Sequence, residues 1–221
     1  MPKRGPKCKL GSYRVFHLIV WVLYTGMQGK CLSVPHDPEG KLAIHDTTVY
    51  RVFATWADDG SLWQAFIASV RHLATEKHLE TSLLHGDGTN TVAKKGGMAF
   101  GYAGQKHPKG AKVIAIIDHH GYVLAPVPVA PGNETDMVLL PQGLKALKQV
   151  AKQVGLDLRD ASRNLDGGCD AAHHRQCMFN AGLIPNIKEN PRNRKPPKRG
   201  RTRFFNEAIY ALRMRVERTL A

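Results

Sequence analysis

The chain has 221 residues, 43% of them hydrophobic, with 32 Lys+Arg against 18 Asp+Glu and a formal charge of +14. That length builds one sizeable core and a small second domain, and that apolar fraction excludes a disordered chain. So large an excess of positive charge repels itself unless a polyanion neutralises it, which makes nucleic acid the first partner to consider and an anionic membrane the second.

Near the N-terminus, residues 15–24 form an apolar run after a basic start, superficially like a secretion signal. The run is shorter than the roughly 20 apolar residues that span a bilayer, and no small-x-small cleavage site follows it. A buried helix of a small domain is the plainer reading, with no membrane involvement. Cys8, Cys31, Cys169 and Cys177 make no CxxC pair and no dense framework, so a reducing compartment is expected.

Helix spacing continues with Val49, Val52, Phe53 and Trp56, then with Leu62, Phe66, Val70 and Leu73. Asp46-Thr47-Thr48 supplies a start signal, and Asp58-Asp59-Gly60-Ser61 reads as a turn followed by a cap. With a segment at 12–28, this makes residues 1–80 a small all-helical segment of about three helices. Its pattern fits equally a helix-turn-helix DNA reader, with 47–56 as second helix, and a plain helical scaffold.

From residue 81 the period changes. Residues 81–87 read as a short strand, and 88–112 as a loop rich in Gly, Lys and small polar residues. Residues 113–118 and 122–129 are β-rich runs joined by His119-His120-Gly121 as a hairpin, with prolines placing the second run at a sheet edge or bulge. Asn133-Glu134-Thr135-Asp136 opens a helix with the stripe Leu140, Leu144, Leu147, Ala151 and Val154. A short segment ending at Asp166, a helix at 171–181, a strand at 183–187 and a helix from about Phe204 to the end complete the chain. That order predicts an α/β domain over 81–221, an RNase H-like mixed sheet with flanking helices. In such a sheet a carboxylate on the first strand and one at the end of the fourth lie side by side.

Those positions hold Asp87 and Asp166, each before a glycine at the end of an apolar stretch. Glu217 follows on the terminal helix. Alone, Asp-Gly pairs are ordinary turn dipeptides, and Arg213 with Glu217 is an ordinary i,i+4 pair. Together, three carboxylates in a basic chain suit divalent metal ions held against a phosphate backbone, since magnesium takes oxygen ligands and keeps several waters. Two such ions can serve an in-line displacement at phosphorus without a protein nucleophile. On the terminal helix, Ile209, Leu212, Val216 and Leu220 form the core stripe, and Tyr210, Arg213 and Glu217 an adjoining one.

Other clusters carry less. Cys169, His173 and Cys177, spaced four apart, would share a helix face and could ligate zinc, but no fourth ligand pairs with them. Asp118-His119-His120 falls where a hairpin turn is needed and reads as structural. Gly96, Gly97, Gly101 and Gly104 do not make a dinucleotide fingerprint. Lys94, Lys95, Lys106 and Lys109 in the same loop suit phosphate contact and plain solvation equally. Between 192 and 203 lie seven positive charges and no acid, among them Arg192, Arg194, Lys195, Lys198 and Arg199. A DNA-backbone contact is the preferred role, strengthened by counterion release.

Segments 83–97, 113–140 and 165–195, with the final Tyr-x2-Arg-x3-Glu of Tyr210, Arg213 and Glu217, resemble insertion-sequence DDE transposases of the IS-four/IS-five superfamily. Residues 22–28 and 48–56 resemble that group's helical DNA-binding segment. The resemblance implies that Asp87, Asp166 and Glu217 are the catalytic and metal-binding triad, with Mg2+ or Mn2+ as a two-ion cofactor. It places Tyr210 and Arg213 in the signature, with Arg213 near DNA or phosphate. It further implies strand cleavage at the ends of a double-stranded DNA element, 3′-hydroxyl attack on target DNA, a homodimer to pair two ends, and a cytoplasmic, nucleoid-associated bacterial setting. The signature's lysine would fall seven residues past Glu217, beyond Ala221. The chain is therefore expected to be C-terminally truncated, with an inactive remnant that only binds DNA as the alternative function.

Overall fold

The computed structural model of the chain describes residues 10–92, 101, 102, 109–190 and 203–220. It divides into two compact units, residues 1–68 and 69–221.

In the first unit the apolar run is wound into α1 (Ser12–Thr25), which stops at Gly26 in the left-handed conformation. Val15 and Ile19 of α1 pack with Val49 of α2 (Asp46–Asp58) and with Leu32, Val34 and Ile44 from the segment between them. Among the described residues, Tyr13, Trp21 and Tyr24 of α1 are exposed. Residues 26–45 include a 3-10 turn (Gly29–Cys31) and a bridge between His36 and Leu42. Thus α1 and α2 are not joined by the short turn of a helix-turn-helix. The α2 cap is His45, one residue before the expected signal, whose ring accepts from the Thr47 N–H. At the next turn the Asp59 carboxylate accepts from Ser61 N–H at 2.9 Å, opening α3 (Ser61–Thr75). Among the described residues no helix is long and apolar enough to cross a membrane.

The second unit is built on a mixed sheet of β1 (Leu83–Val92), β2 (Gly101–Tyr102), β3 (Lys109–Ile117), β4 (Val129–Pro131), β5 (Ser162–Leu165) and β6 (Ile184–Ile187). The order is β2-β3-β1-β5-β6, with β4 also on β3. β1 and β3 are antiparallel from His85 opposite Ile117 to Val92 opposite Gly110, whereas β1, β5 and β6 run parallel. This is the RNase H-like arrangement expected from the element order, with one revision. The stretch read as a loop from 88 to 112 begins and ends as strand, because Thr89, Asn90 and Thr91 continue the pairing of β1 with Lys112 and its neighbours.

A second revision concerns residues 122–129. They make only a bridge from Val123 to Ile117 before β4 pairs Val129 with Val113. Pro126 and Pro128 have no N–H to donate, so a continuous strand cannot form there, and the outer edge of β3 is covered piecemeal.

The sheet's two faces have different tasks. One packs on α4 (Asp136–Val154), whose Leu140, Leu144 and Leu147 are buried as the stripe predicts. Gly143 lets α4 approach Ile114 and Ile116, whose side chains would lie 3.3 and 3.4 Å from an added Cβ. Strand alternation puts Leu84, Gly86, Arg163 and Leu165 on this face. Arg163 is fully buried, and its Nε, Nη1 and Nη2 meet no hydrogen-bond partner among the described residues. Burial lowers its pKa to about 10. α5 (Ala172–Asn180) links β5 to β6 after a 3-10 turn (Gly167–Cys169). The opposite face carries His85, Asp87, Ala115, Ile117, Asn164 and Asp166, and receives the C-terminal helices.

Those helices correct the single helix expected from Phe204. The chain makes α6 (Glu207–Ala211), a turn at Leu212 and Arg213, then α7 (Met214–Leu220). Arg213 N–H bonds to Tyr210 O at 3.0 Å, Arg215 N–H to Leu212 O at 3.2 Å and Val216 N–H to Arg213 O at 3.1 Å, all i to i−3. The Ile209 carbonyl, which a continuous α-helix would offer to Arg213, accepts instead from Leu212 N–H at 3.2 Å and from Asn164 Nδ2 at 2.6 Å. A side chain from the sheet thus tightens the backbone at this point.

Candidate active site

Asp87 and Asp166 are brought together by register. Leu83 pairs with Ser162 and His85 with Asn164, so each acid stands two residues past the last of these parallel pairs and projects to the same face. Asp87 is half-buried, and its Oδ1 accepts from the Gly88 N–H at 2.9 Å. Asp166 is exposed and caps the 3-10 turn through its Oδ2, which accepts from Gly168 N–H at 3.3 Å.

The turn between α6 and α7 delivers the other side chains. Arg213 Nη1 lies 3.3 Å from Asp87 Oδ2, and its Nη2 lies 2.7 Å from Glu217 Oε1, so one guanidinium spans the two carboxylates. The Tyr210 phenol feels the charge of Asp166, and the Arg213 guanidinium carbon stands 6.0 Å from the Tyr210 ring centroid. Of the expected core stripe, Val216 is buried and anchors α7.

The electrostatics reflect this convergence. Burial raises the Asp87 carboxyl above its ordinary pKa; Arg213 and the Gly88 N–H oppose the shift, while Asp166 and Glu217 reinforce it. Burial also raises the Tyr210 phenol; Arg213 opposes the shift and the Asp166 charge reinforces it. The acids therefore sense one another across strand and helix. Yet among the described residues no group of three or more His, Cys, Asp or Glu is close enough to grip one metal ion. Arg213 supplies the positive charge between Asp87 and Glu217.

Lys94, Lys95, Arg192, Arg194, Lys195, Lys198 and Arg199 lie outside the described residues. Cys169 sits in the 3-10 turn while His173 and Cys177 sit on α5, so the three do not share one helix face. Asp118 is a turn organiser: its Oδ1 accepts from His120, Gly121 and Tyr122 N–H at 2.8–3.0 Å, and its Oδ2 from Glu80 N–H at 2.9 Å. Arg215 then donates to the His119 carbonyl, tying α7 to that turn.

Four polar residues passed over in the sequence lie beneath the acids: His85, Asn164, Asn186 and Asn206. A signal for two of them existed. His85 and Asn164 each stand two residues before an acid, the spacing that shares a strand face.

No curated protein matches the chain in sequence. Among solved structures, the piggyBac transposase synaptic complex with hairpin DNA aligns at 16% identity and TM-score 0.38, over 55% of this chain and 27% of that one. The Mos1 transposase paired-end complex with left transposon end aligns at 12% identity and TM-score 0.35, over 84% of this chain and 60% of that one. The chain thus spans about a quarter of the first relative and three fifths of the second. The family model for the transposase DDE domain matches residues 78–221, a stretch that holds Asp87, Asp166 and Glu217. Covering more than half of the sequence, that match shows that the chain belongs to the DDE transposase family.

Proposed function

We propose that this chain is a metal-dependent DNA transposase that cleaves strands at the ends of a DNA element and joins the freed 3′-hydroxyl to target DNA. The observation that carries the reading is the convergence of Asp87, Asp166 and Glu217 with Arg213 and Tyr210 on one sheet face.

The donors suit a hard divalent cation. All three acids offer oxygen, and the repulsion that Asp166 and Glu217 exert on Asp87 is the kind a cation relieves. Asp87, Asp166 and Glu217 would hold Mg2+ or Mn2+, two ions in the full arrangement. Bound there, the ions acidify a water or a 3′-hydroxyl and neutralise charge at phosphorus. The chain's own groups supply orientation. Arg213 holds Asp87 and Glu217 in a common position, and its remaining N–H groups would serve a phosphate oxygen. Tyr210 steadies the Asp166 carboxylate. No protein side chain is needed as nucleophile.

The polyanionic partner is double-stranded DNA, supported by the +14 charge. Lys94, Lys95 and the basic residues from Arg192 to Arg199 are assigned to its backbone, residues 1–80 to end recognition and 81–221 to catalysis. A homodimer would pair two element ends.

Cleavage of labelled DNA from the flanks of its own gene, with magnesium or manganese, tests this reading. The parent chain is expected to nick the ends, and Asp87→Ala to lose at least a hundredfold in rate, the order expected when transition-state charge stabilisation is removed. A parent chain that binds the labelled ends but cuts them no faster than Asp87→Ala would favour the alternative, a chain that binds DNA without cutting it.

A further inference from the structure

Beneath the acids runs a line of amide side chains whose hydrogen bonds end on the backbone of α6. Asn164 of β5 and Asn186 of β6 are opposite one another in the sheet, and both are fully buried, as is His85 of β1. The direction of each bond is dictated from the backbone end. Asn206 N–H can only donate, so Asn186 receives it on Oδ1 at 2.8 Å. Asn186 Nδ2 is thereby turned to the Asn206 carbonyl at 3.0 Å and to Asn164 Oδ1 at 2.8 Å. With its oxygen engaged, Asn164 donates from Nδ2 to the Ile209 carbonyl at 2.6 Å and to His85 Nδ1 at 3.2 Å. Both amide hydrogens of each buried asparagine are used. His85 must accept on Nδ1 and carry its proton on Nε2.

The upper end of this line is a helix too short to hold itself. α6 spans Glu207–Ala211, and none of its residues is fully buried; a helix of that length has little stability of its own. Two sheet side chains fix it instead. Asn186 reads both backbone groups of Asn206, whose Oδ1 caps α6 by accepting from Ile209 N–H at 3.1 Å. Asn164 takes the Ile209 carbonyl, the point where the backbone tightens and aims Arg213 at Asp87.

We infer that the Asn164–Asn186–Asn206 amide ladder, seated on His85, is the positioning element that sets Arg213 and Glu217 over Asp87 and Asp166. These residues act through the acids and touch neither DNA nor metal. The inference rests on the proposed assignment of Glu217 as a metal ligand.

Two readouts test it on the full chain. Hydrogen exchange without metal is expected to accelerate at least tenfold across 207–220 in both Asn164→Ala and Asn206→Ala, with α4 and the paired stretch of β1 and β3 unchanged. Asn206→Asp keeps the capping oxygen and both backbone groups, and is expected to restore protection. Mn2+ affinity, read by electron paramagnetic resonance, is expected to fall about tenfold in Asn206→Ala, the usual range for residues that orient ligands. The Asn206→Ala/Glu217→Ala pair should bind no more weakly than Glu217→Ala alone, because the ladder works through that carboxylate. Unchanged exchange in 207–220, or losses of Mn2+ affinity that simply add, overturns the ladder's role. A parent chain that binds no Mn2+ while its variants show the exchange pattern overturns the metal reading and leaves the ladder as the seat of α6.

Discussion

At the scale of single residues, the sheet face behind the acids is as constrained as the acids themselves. A Cβ at Gly86 would stand 2.7 Å from Leu165 Cδ2 and 3.0 Å from Arg163 Nη2. Gly86→Ala is expected to cost about 1–3 kcal/mol, the usual range for overpacking, read from urea unfolding. Arg163 predicts the opposite sign. Its buried guanidinium finds no hydrogen-bond partner among the described residues, so Arg163→Met is expected to be neutral or stabilising, by up to about 4 kcal/mol. A clear loss in the urea midpoint would mean that this cation is paired. His85 adds a pH dependence. Burial lowers its pKa from 6.5 to about 4; His119, Arg215 and Arg213 act in the same direction and Asp118 against it. Between those values the unfolded chain binds a proton that the folded chain refuses, so stability falls as pH drops through about 6.5 to 4 and levels off below. Urea midpoints in EDTA for the parent and His85→Gln measure it; a variant whose midpoint keeps the parent's full slope in that window excludes His85 as the cause.

Elements hold together here through turns more than through their own length. The Asp118 carboxylate gathers the N–H groups of His120, Gly121, Tyr122 and Glu80, and the turn it shapes presents the His119 carbonyl to Arg215 of α7. Asp118→Ala would take the shared acceptor from four part-buried N–H bonds. It is expected to destabilise the second unit by about 3 kcal/mol or more and to loosen α7, visible as a lowered unfolding midpoint with faster exchange at 214–220. Retained protection in α7 would show that Val216 alone seats that helix.

For the molecule as a whole, charge sets the behaviour. An excess of 14 positive charges favours a polyanion at long range but says nothing about which DNA sequence is preferred. Under the proposed function, the logarithm of DNA affinity is expected to fall linearly with the logarithm of salt, by about 0.9 for each phosphate neutralised. Titration of labelled duplex between low and physiological salt measures the slope. A flat line would remove the DNA backbone as partner.

The sequence by itself determined most of the element order, the three N-terminal helices, the stripe of α4 and the placing of two aspartates at the ends of apolar stretches. These are legible because periodicity and turn residues act locally, over a few positions. Only the tertiary structure decided how far β1 extends beyond Asp87, since Thr89 to Thr91 become strand by pairing with β3 rather than by their own propensity. It likewise decided that the terminal helix breaks at Leu212 and Arg213. An ideal 3.6-residue wheel places Tyr210, Arg213 and Glu217 on one stripe, but the arrangement found depends on a carbonyl taken by Asn164, a residue 45 positions away. Hydrogen bonds across such a separation leave no periodic trace. That is why three candidate acids could be proposed from the sequence, while the bonds by which buried amides hold the helix could not.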